Sequence, residues 1–214
     1  MGDLTLKLFV VNQLQENCYI VSDTTREAVI IDCGAYYDAE RAAVVDYIRD
    51  NGLTLRHLLC THGHFDHVFG ADTIFQEFGI APEVHAADRH FVEDMDKQYR
   101  DMVGVPYPRP SVAVSRLLSD GDVVTFGTHE LKVIHTPGHS QGSVVFHCAS
   151  AHVAFTGDTL FRMGYGRTDL PGGSWPQLRQ SLLKLKEVLP PDTRVYPGHG
   201  PSTVMAVEQP PYIY

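Results

Sequence analysis

Four residues that can bind a metal ion occur within six positions of the sequence: His62, His64, Asp66 and His67. In an extended turn, side chains two residues apart point the same way, so His62 and His64 can share one ion. Asp66 and His67 stand at the start of the next predicted helix, where they can turn toward a second ion. Because these ligands are imidazoles and a carboxylate without a thiolate, they favour zinc, iron or manganese over a cysteine-rich structural zinc site.

Three later segments each add one ligand-type residue directly after a glycine: His139, Asp158 and His199. In each segment a predicted short strand runs into a tight turn, where glycine lets the backbone bend and approach other groups closely. If the strand ends lie at one edge of the fold, all these residues converge on a single metal-binding site. The remaining seven histidines have no partnered spacing and are expected to be structural: His57, His85, His90, His129, His135, His147 and His152.

The elements that must position these residues can be predicted from short apolar runs bounded by polar turns. Strands are predicted over 4–10, 18–22, 28–32, 55–60, 123–126, 130–135, 143–147, 152–156 and 194–196. Helices are predicted over 39–50, over 66–78, within 88–102 and from Ser174, where Ser174 and Gln177 have the pattern of a capping box. Strands thus come in two batches followed by helices, which favours an α/β (α+β) fold of two packed sheets with helices outside. No repeat or linker divides the chain, so a single domain over 1–214 is expected.

The composition is that of an ordinary globular protein and excludes several classes. The chain has 214 residues, 43% hydrophobic and 20% charged, unlike disordered, collagen-like or coiled-coil proteins. No run of apolar residues could span a bilayer, and Asp3 and Lys7 interrupt the N-terminus where a signal peptide is apolar, so a cytoplasmic protein without a membrane partner is expected. The formal net charge of −9 argues against a nucleic-acid partner. The four cysteines form no CxxC pair and are expected to be buried, reduced thiols.

With these motifs, the chain resembles the metallo-β-lactamase superfamily. Its signature Thr-His-x-His-x-Asp-His is matched in full by residues 61–67, and the match is colinear from the segment that begins at Asn17 to the one that ends at Pro201. The resemblance implies a four-layer αββα sandwich with a metal site at the edge between the sheets. It also implies a dinuclear ligand set: His62, His64 and His139 on the first ion, Asp66, His67 and His199 on the second, and Asp158 bridging both.

Within that superfamily the chain is most similar to glyoxalase II, and in particular to the short single-domain bacterial hydrolases grouped with it. Residues 136–143 and 157–161 carry this similarity. Glyoxalase II continues with a Gly-Cys-Gly-(Lys/Arg)-Phe-Tyr type segment that contacts glutathione, and Arg167 matches its basic residue, whereas Asp169 stands in place of the tyrosine. Two-domain members add a helical domain that helps to hold glutathione, but only fifteen residues follow His199 here. The resemblance therefore implies cleavage of small thioesters of the S-lactoylglutathione type and leaves recognition of glutathione open.

The expected reaction uses two divalent ions, zinc first with iron or manganese as alternatives, which lower the pKa of water to about 7. Attack of the metal-bound hydroxide on the thioester carbonyl is expected, with Asp66 as the catalytic residue that orients it. Because a thiol with a pKa near 8.5 departs without a strong acid, thioesters are favoured over β-lactams and peptides. Arg167 either binds a carboxylate of the substrate or fixes the loop of Asp169.

The main alternative is a persulfide dioxygenase with one iron, which the chain also resembles. That branch uses the equivalents of His62, His139 and Asp158, but it tends to show Ala-His-Asp-Tyr where this chain has Pro-Gly-His-Gly-Pro over 197–201. The segment 88–110 is expected to form one wall of the substrate pocket. Its candidates for contact with substrate are Tyr99, Tyr107 and Arg109, although surface packing is the favoured explanation for each. Nothing in the sequence indicates the oligomeric state.

Overall fold

Two six-stranded β-sheets form the centre of the computed structural model, which describes residues 4–208. The strands of the first sheet, in spatial and sequence order, are β1 (Thr5–Val11), β2 (Glu16–Ser22), β3 (Glu27–Ile31), β4 (Thr54–Leu59), β5 (Pro82–His85) and β6 (Arg116–Leu118). Strands β1 to β3 pair antiparallel, and β3 to β6 pair parallel. The parallel part therefore places the ends of β3, β4 and β5 at one edge of the sheet.

The second sheet is mostly antiparallel. The strands of this half of the chain are β7 (Val123–Phe126), β8 (His129–His135), β9 (Val144–Cys148), β10 (Val153–Gly157), a two-stranded ribbon of β11 (Leu160–Phe161) and β12 (Gly164–Tyr165), β13 (Arg194–Pro197) and β14 (Thr203–Val204). The order in the second sheet is β14-β13-β10-β9-β8-β7, and β10 pairs parallel with β13. The carboxyl ends of β10 and β13 consequently lie side by side.

The core has two levels because side chains alternate between the faces of a strand. In β3, Val29 and Ile31 point into the layer between the two sheets, where they join residues such as Phe146 and Phe155. Ile30 points to the opposite face of the same sheet and packs with a second cluster. A sheet buried on both faces accounts for the nearly continuous apolar runs of β2 and β3.

Helices cover both outer faces. They are α1 (Asp38–Asp50), α2 (Phe65–Val68), α3 (Ala71–Phe78), α4 (Arg89–Glu93), α5 (Met95–Val103) and α6 (Trp175–Val188). Helix α1, through Val44 and Ile48, and helix α3, through Ile74, pack on the first sheet. Helix α6 packs on the second sheet through Leu178, Leu182 and Leu185. The predicted αββα sandwich is confirmed.

The structure differs from the sequence-based prediction at two helices. The predicted helix over 66–78 is divided into α2 and α3, because the backbone at Gly70 approaches Cys33, whose carbonyl oxygen accepts the Gly70 N–H at 2.7 Å. Helix α6 does begin after Ser174, but the Ser174 side chain makes no capping hydrogen bond, so the predicted capping box is wrong. Gln177 instead accepts a hydrogen bond from Gln141 at 2.8 Å.

The sequence-based prediction lacks the short strands β5, β6, β11, β12 and β14, because runs of two to four residues give too little periodicity to recognise. The other predicted strands of the two main sheets agree with the observed bounds to within one or two residues. All four cysteines are buried and none is in a disulfide, as predicted. Within residues 4–208, no helix combines the length and the apolar composition that a membrane crossing requires.

Candidate metal centre

The structure brings the predicted ligand residues together at one edge of the two sheets. His62 and His64 lie in the loop after β4, and Asp66 and His67 lie in α2, which follows that loop. The other three residues follow β8, β10 and β13, namely His139, Asp158 and His199. Strand ends from both sheets therefore supply the site, as the glycine-containing turns predict.

The first group consists of His62, His64 and His139, each with one nitrogen within 4.8 Å of those of the other two. His64 Nδ1 lies 2.9 Å from His139 Nε2. All three side chains are buried. Three imidazole nitrogens that converge in a buried space form a set of donors suited to one divalent ion.

The second group consists of Asp66, His67 and His199, whose donor atoms also lie within 4.8 Å of one another. His67 Nε2 is 3.3 Å from His199 Nε2, and His199 Nε2 is 3.3 Å from Asp66 Oδ2. This group combines two imidazoles with a carboxylate and faces the same cavity as the first group.

Asp158 lies between the two groups and directs one oxygen toward each. Its Oδ2 is 3.5 Å from His139 Nε2 in the first group, and its Oδ1 is 3.4 Å from His67 Nε2 in the second. The two groups contain the residues that the family resemblance implies for each ion, and a bridging role of Asp158 stays a prediction.

In three of the histidines, the Nδ1 atom, which points away from the centre, donates a hydrogen bond that fixes the orientation of the ring. His67 Nδ1 donates to Asp32 Oδ2 at 2.9 Å, and His139 Nδ1 donates to the carbonyl of Arg167 at 2.8 Å. His199 Nδ1 donates to the carbonyl of Leu14 at 3.0 Å. With the proton on Nδ1, the Nε2 lone pair of each ring faces the centre, as in metal sites whose histidines have such outer partners.

Two buried polar atoms of the site show that the donor set suits a cation. Within the part of the chain that the structure describes, His62 Nε2 and Asp158 Oδ1 have no hydrogen-bond partner. A buried polar atom without a partner costs free energy, so its retention calls for another partner. A divalent ion in each group would satisfy these atoms, and the nitrogen and oxygen donors fit zinc, iron or manganese.

Burial and nearby charges shift the pKa values of the histidines in the two groups in opposite directions. Burial, with the neighbouring histidines, lowers the pKa of His62 well below its usual value and that of His64 to about 4, so both are neutral ligands near pH 7. Burial alone would lower the pKa of His67, but the carboxylates of Asp66, Asp32 and Asp158 outweigh this effect, so the pKa is raised overall. Without a cation, protons on such histidines offset the carboxylates, so binding of an ion displaces protons.

Close approach at two glycines explains why the turns before the ligands need this residue. A Cβ at Gly198 would lie 2.4 Å from Asp158 Oδ1 and 2.6 Å from a ring carbon of His67. Gly157 has φ of +47°, and a Cβ there would lie 2.2 Å from Thr61 Oγ1. A side chain at Gly198 would displace two ligand residues, and one at Gly157 would displace Thr61, which directly precedes His62.

Two carboxylates that the sequence analysis did not single out support the site. Asp32, at the end of β3, accepts the backbone N–H and the hydroxyl of Thr61, both at 2.7 Å, besides the His67 ring. Asp88 is fully buried and accepts the N–H groups of Gly63 and Gly142 at 3.0 and 2.7 Å. The position of Asp32 after an apolar strand is the signal that identifies the other ligand segments, whereas no local signal marks Asp88.

A cavity of about 640 Å³ opens above the two groups. One wall comes from the predicted segment, but through other residues than expected: His90, Phe91, Asp94, Lys97, Gln98, Asp101 and Met102. Tyr99 and Tyr107 are instead buried in an apolar cluster, and Arg109 pairs with Asp38 and Asp72 outside the cavity. The opposite wall includes Arg167, whose guanidinium pairs with Asp169.

Sequence comparison places the chain among known proteins. A family model described as the metallo-beta-lactamase superfamily matches residues 11–199. An uncharacterized protein of Mycobacterium tuberculosis is 37% identical over 203 residues, which cover 90% of this chain and 89% of the relative. A protein of Haemophilus influenzae named hydroxyacylglutathione hydrolase is 32% identical over 209 residues, which cover 96% of this chain and 95% of the relative.

Solved structures show the same fold over nearly the whole length. BLEG-1 B3 metallo-beta-lactamase superimposes with a TM-score of 0.87 and 35% identity, covering 98% of this chain and 99% of the other. TTHA1623 in a di-iron-bound form gives a TM-score of 0.82 and 34% identity, covering 96% and 99%. ETHE1 from Myxococcus xanthus gives a TM-score of 0.74 and 26% identity, covering 96% and 81%.

Proposed function

The chain belongs to the metallo-beta-lactamase superfamily, and we propose that it is a dinuclear metal-dependent hydrolase that cleaves thioesters of the S-lactoylglutathione type. One observation carries the proposal: two complete groups of donor atoms share Asp158 at the floor of a cavity of about 640 Å³. The similarity to a relative named hydroxyacylglutathione hydrolase supports the choice of thioesters. The likeness to a di-iron-bound structure supports a dinuclear centre.

The ligand residues would hold one ion with His62, His64 and His139, and a second with Asp66, His67 and His199, with Asp158 shared. When bound, the two ions supply an activated water at neutral pH and neutralise negative charge on the carbonyl oxygen of the substrate. Zinc is our first candidate, with iron and manganese as alternatives that the same donors accept.

Asp66 is proposed as the catalytic residue because its carboxylate faces the cavity as well as the second group. From this position, Asp66 can accept a hydrogen bond from the attacking water and hold it in line with the carbonyl carbon. Asp66 Oδ2 lies 3.3 Å from His199 Nε2, so both donor atoms face the same point in the second group. Because a thiol departs as the thiolate, the cavity needs no strong acid at the leaving group.

A mononuclear iron persulfide dioxygenase is the second candidate, since His62, His139 and Asp158 are the residues that it would need. In that reaction the second group of donors would have no use. The compact arrangement of Asp66, His67 and His199 therefore favours the dinuclear hydrolase.

The test is hydrolysis of S-D-lactoylglutathione by the purified chain, with and without chelator and added zinc, and with metal content measured on the same sample. We expect two ions per chain and turnover that the chelator abolishes and zinc restores. If a sample with two ions per chain hydrolyses neither thioesters nor lactones, the proposal is contradicted. Oxygen uptake with a persulfide and one iron per chain would favour the dioxygenase.

A further inference from the structure

One lysine and one arginine line the cavity, and each already has a carboxylate partner. Arg167 binds Asp169 through two parallel bonds, Nε to Oδ1 and Nη2 to Oδ2, both 2.7 Å long. Lys97 forms an ion pair with Asp101, one turn along α5. Among the cavity-lining residues within 4–208, no other lysine or arginine is present. A carboxylate on a substrate would thus compete with Asp169 or Asp101 for its partner.

Acidic and apolar residues make up much of the remaining lining. Five aspartates line the cavity. Asp66 and Asp158 are ligand residues, and the Asp88 carboxylate accepts hydrogen bonds from backbone N–H groups. The other two, Asp94 and Asp101, lie on the wall that α5 and the residue before it form. Apolar side chains line both walls and the rim: Leu14, Phe65, Phe91, Met102, Leu170 and Pro171. Apart from the ions that the proposed function places at its floor, this lining offers a carboxylate no unpaired lysine or arginine and favours apolar or uncharged groups.

We propose that this hydrolase prefers a thiol carrier without a carboxylate group over a matching carrier that bears one, and that Asp169 sets this preference by occupying the fork of Arg167. The inference rests on the proposed thioester hydrolysis. A guanidinium fork matches one carboxylate at a time, so Asp169 prevents Arg167 from binding an acidic substrate in the same way. The pair is largely exposed, with side-chain exposures of 60% and 66%, so the preference is moderate rather than absolute.

The experiment compares two substrates that differ in one charge: S-acetyl-N-acetylcysteine, which has a carboxylate, and its isosteric carboxamide. For the zinc-loaded wild type we expect kcat/KM to be about tenfold higher for the carboxamide, mainly through KM. Asp169→Asn should reduce this ratio to about two- or threefold, because Arg167 then becomes available. The double variant Asp169→Asn, Arg167→Gln should restore the wild-type preference. Glu187→Gln, on the exposed face of α6, removes one negative charge away from the cavity and should leave the ratio unchanged.

A binding measurement decides the inference even if neither compound is hydrolysed. The S-benzyl thioethers of the same pair cannot be cleaved, and their affinities for metal-free and zinc-loaded protein can be measured by calorimetry. Tighter binding of the carboxamide by wild type, and loss of that difference in Asp169→Asn, supports the inference. Equal binding and equal kcat/KM for both compounds in wild type would overturn it while leaving thioester hydrolysis intact. Absence of hydrolysis alone contradicts the proposed function instead.

Discussion

Ser140 Oγ donates a hydrogen bond of 2.5 Å to Asp88, and this bond ties the wall of the cavity to the loop that carries His139. The same carboxylate accepts the N–H of Gly63, which lies between His62 and His64 in the sequence. One buried aspartate thereby fixes both loops that supply the first group of donors, although it contributes no donor atom to that group.

Asp88→Asn should weaken binding of the first ion by about 10- to 100-fold. The carboxylate of Asp88 accepts hydrogen bonds from the N–H groups of Gly63 and Gly142. In the variant the side-chain NH₂ would face one of these N–H groups, so one hydrogen bond would be replaced by repulsion between two donors. The free energy of unfolding should also fall by about 1–3 kcal/mol. Competition with a chromophoric chelator measures the affinity, and Ser140→Ala, which removes one bond to Asp88, should have a smaller effect. An unchanged affinity in Asp88→Asn would refute this role.

Asp32→Asn should selectively weaken binding of the second ion, again by about 10- to 100-fold. The carboxylate accepts the Nδ1 proton of His67 at 2.9 Å and so keeps Nε2 directed at the centre. Metal content after dialysis against limiting zinc should fall from two ions toward one. The exposed pair of His152 and Asp192, at 2.8 Å, provides the matched control, because Asp192→Asn should retain both ions. Equal metal content in the two variants would exclude the orienting role of Asp32.

Asp66→Ala should abolish turnover while leaving the first ion largely bound. The expected reason is that the first group, His62, His64 and His139, remains intact, whereas the water loses its orienting carboxylate. Steady-state kinetics and metal analysis on the same preparation separate the two effects. Full activity in this variant would show that Asp66 has no catalytic role.

Asp23 should make folding stability fall in acid. Burial alone would raise its pKa, but hydrogen bonds from Thr25 and Thr128 outweigh burial and lower the pKa to about 2. Since this lies below the value of about 3.9 in an unfolded chain, the stabilisation is complete above about pH 4 and is lost as the pH falls toward about 2. Asp23 joins the β2–β3 turn to Thr128 in the β7–β8 turn, so it links the two sheets.

The measurement for Asp23 is urea unfolding of metal-free protein at several pH values. Asp23→Asn should lower the free energy of unfolding by about 1–2 kcal/mol at pH 7 and flatten its dependence between about pH 4 and 2. Asp46→Asn, on the exposed surface of α1, removes one charge without these bonds and should keep the wild-type slope. The role of Asp23 would be disproved if its variant kept that slope too.

The strand ends that carry the ligand residues could be predicted because their signal is local. An apolar run, a glycine and then a histidine or aspartate can be recognised within a few residues, as for His139 and Asp158. The break between α2 and α3 could not be predicted, because it depends on a contact between Gly70 and Cys33, which lies in another part of the chain. Asp88 was missed for the same reason, since its bonds to Ser140 and Gly142 span 52 and 54 residues.

The wall residues show a similar limit. The segment 88–110 borders the cavity as predicted, and its tyrosines take the packing role that the sequence favours over contact with substrate. Tyr99 and Tyr107 turn inward because they complete an apolar cluster with Phe69 and Val92. Lys97, Asp101 and Met102 face the cavity instead. Which face of α5 is buried depends on the neighbouring elements, and short helices carry too few residues to reveal it.

Most of one cavity wall comes from a single stretch between β5 and β6, whereas the donor residues come from loops at the ends of other strands. One wall of the cavity is thus encoded separately from the donor residues. Exchanging this stretch for one of another length or charge should change that wall without altering the donor set. Asp88 is the constraint on such exchanges, because a replacement must still present a carboxylate to Gly63 and Ser140. The fold thus lets the sequence of one cavity wall vary while the donor residues stay the same.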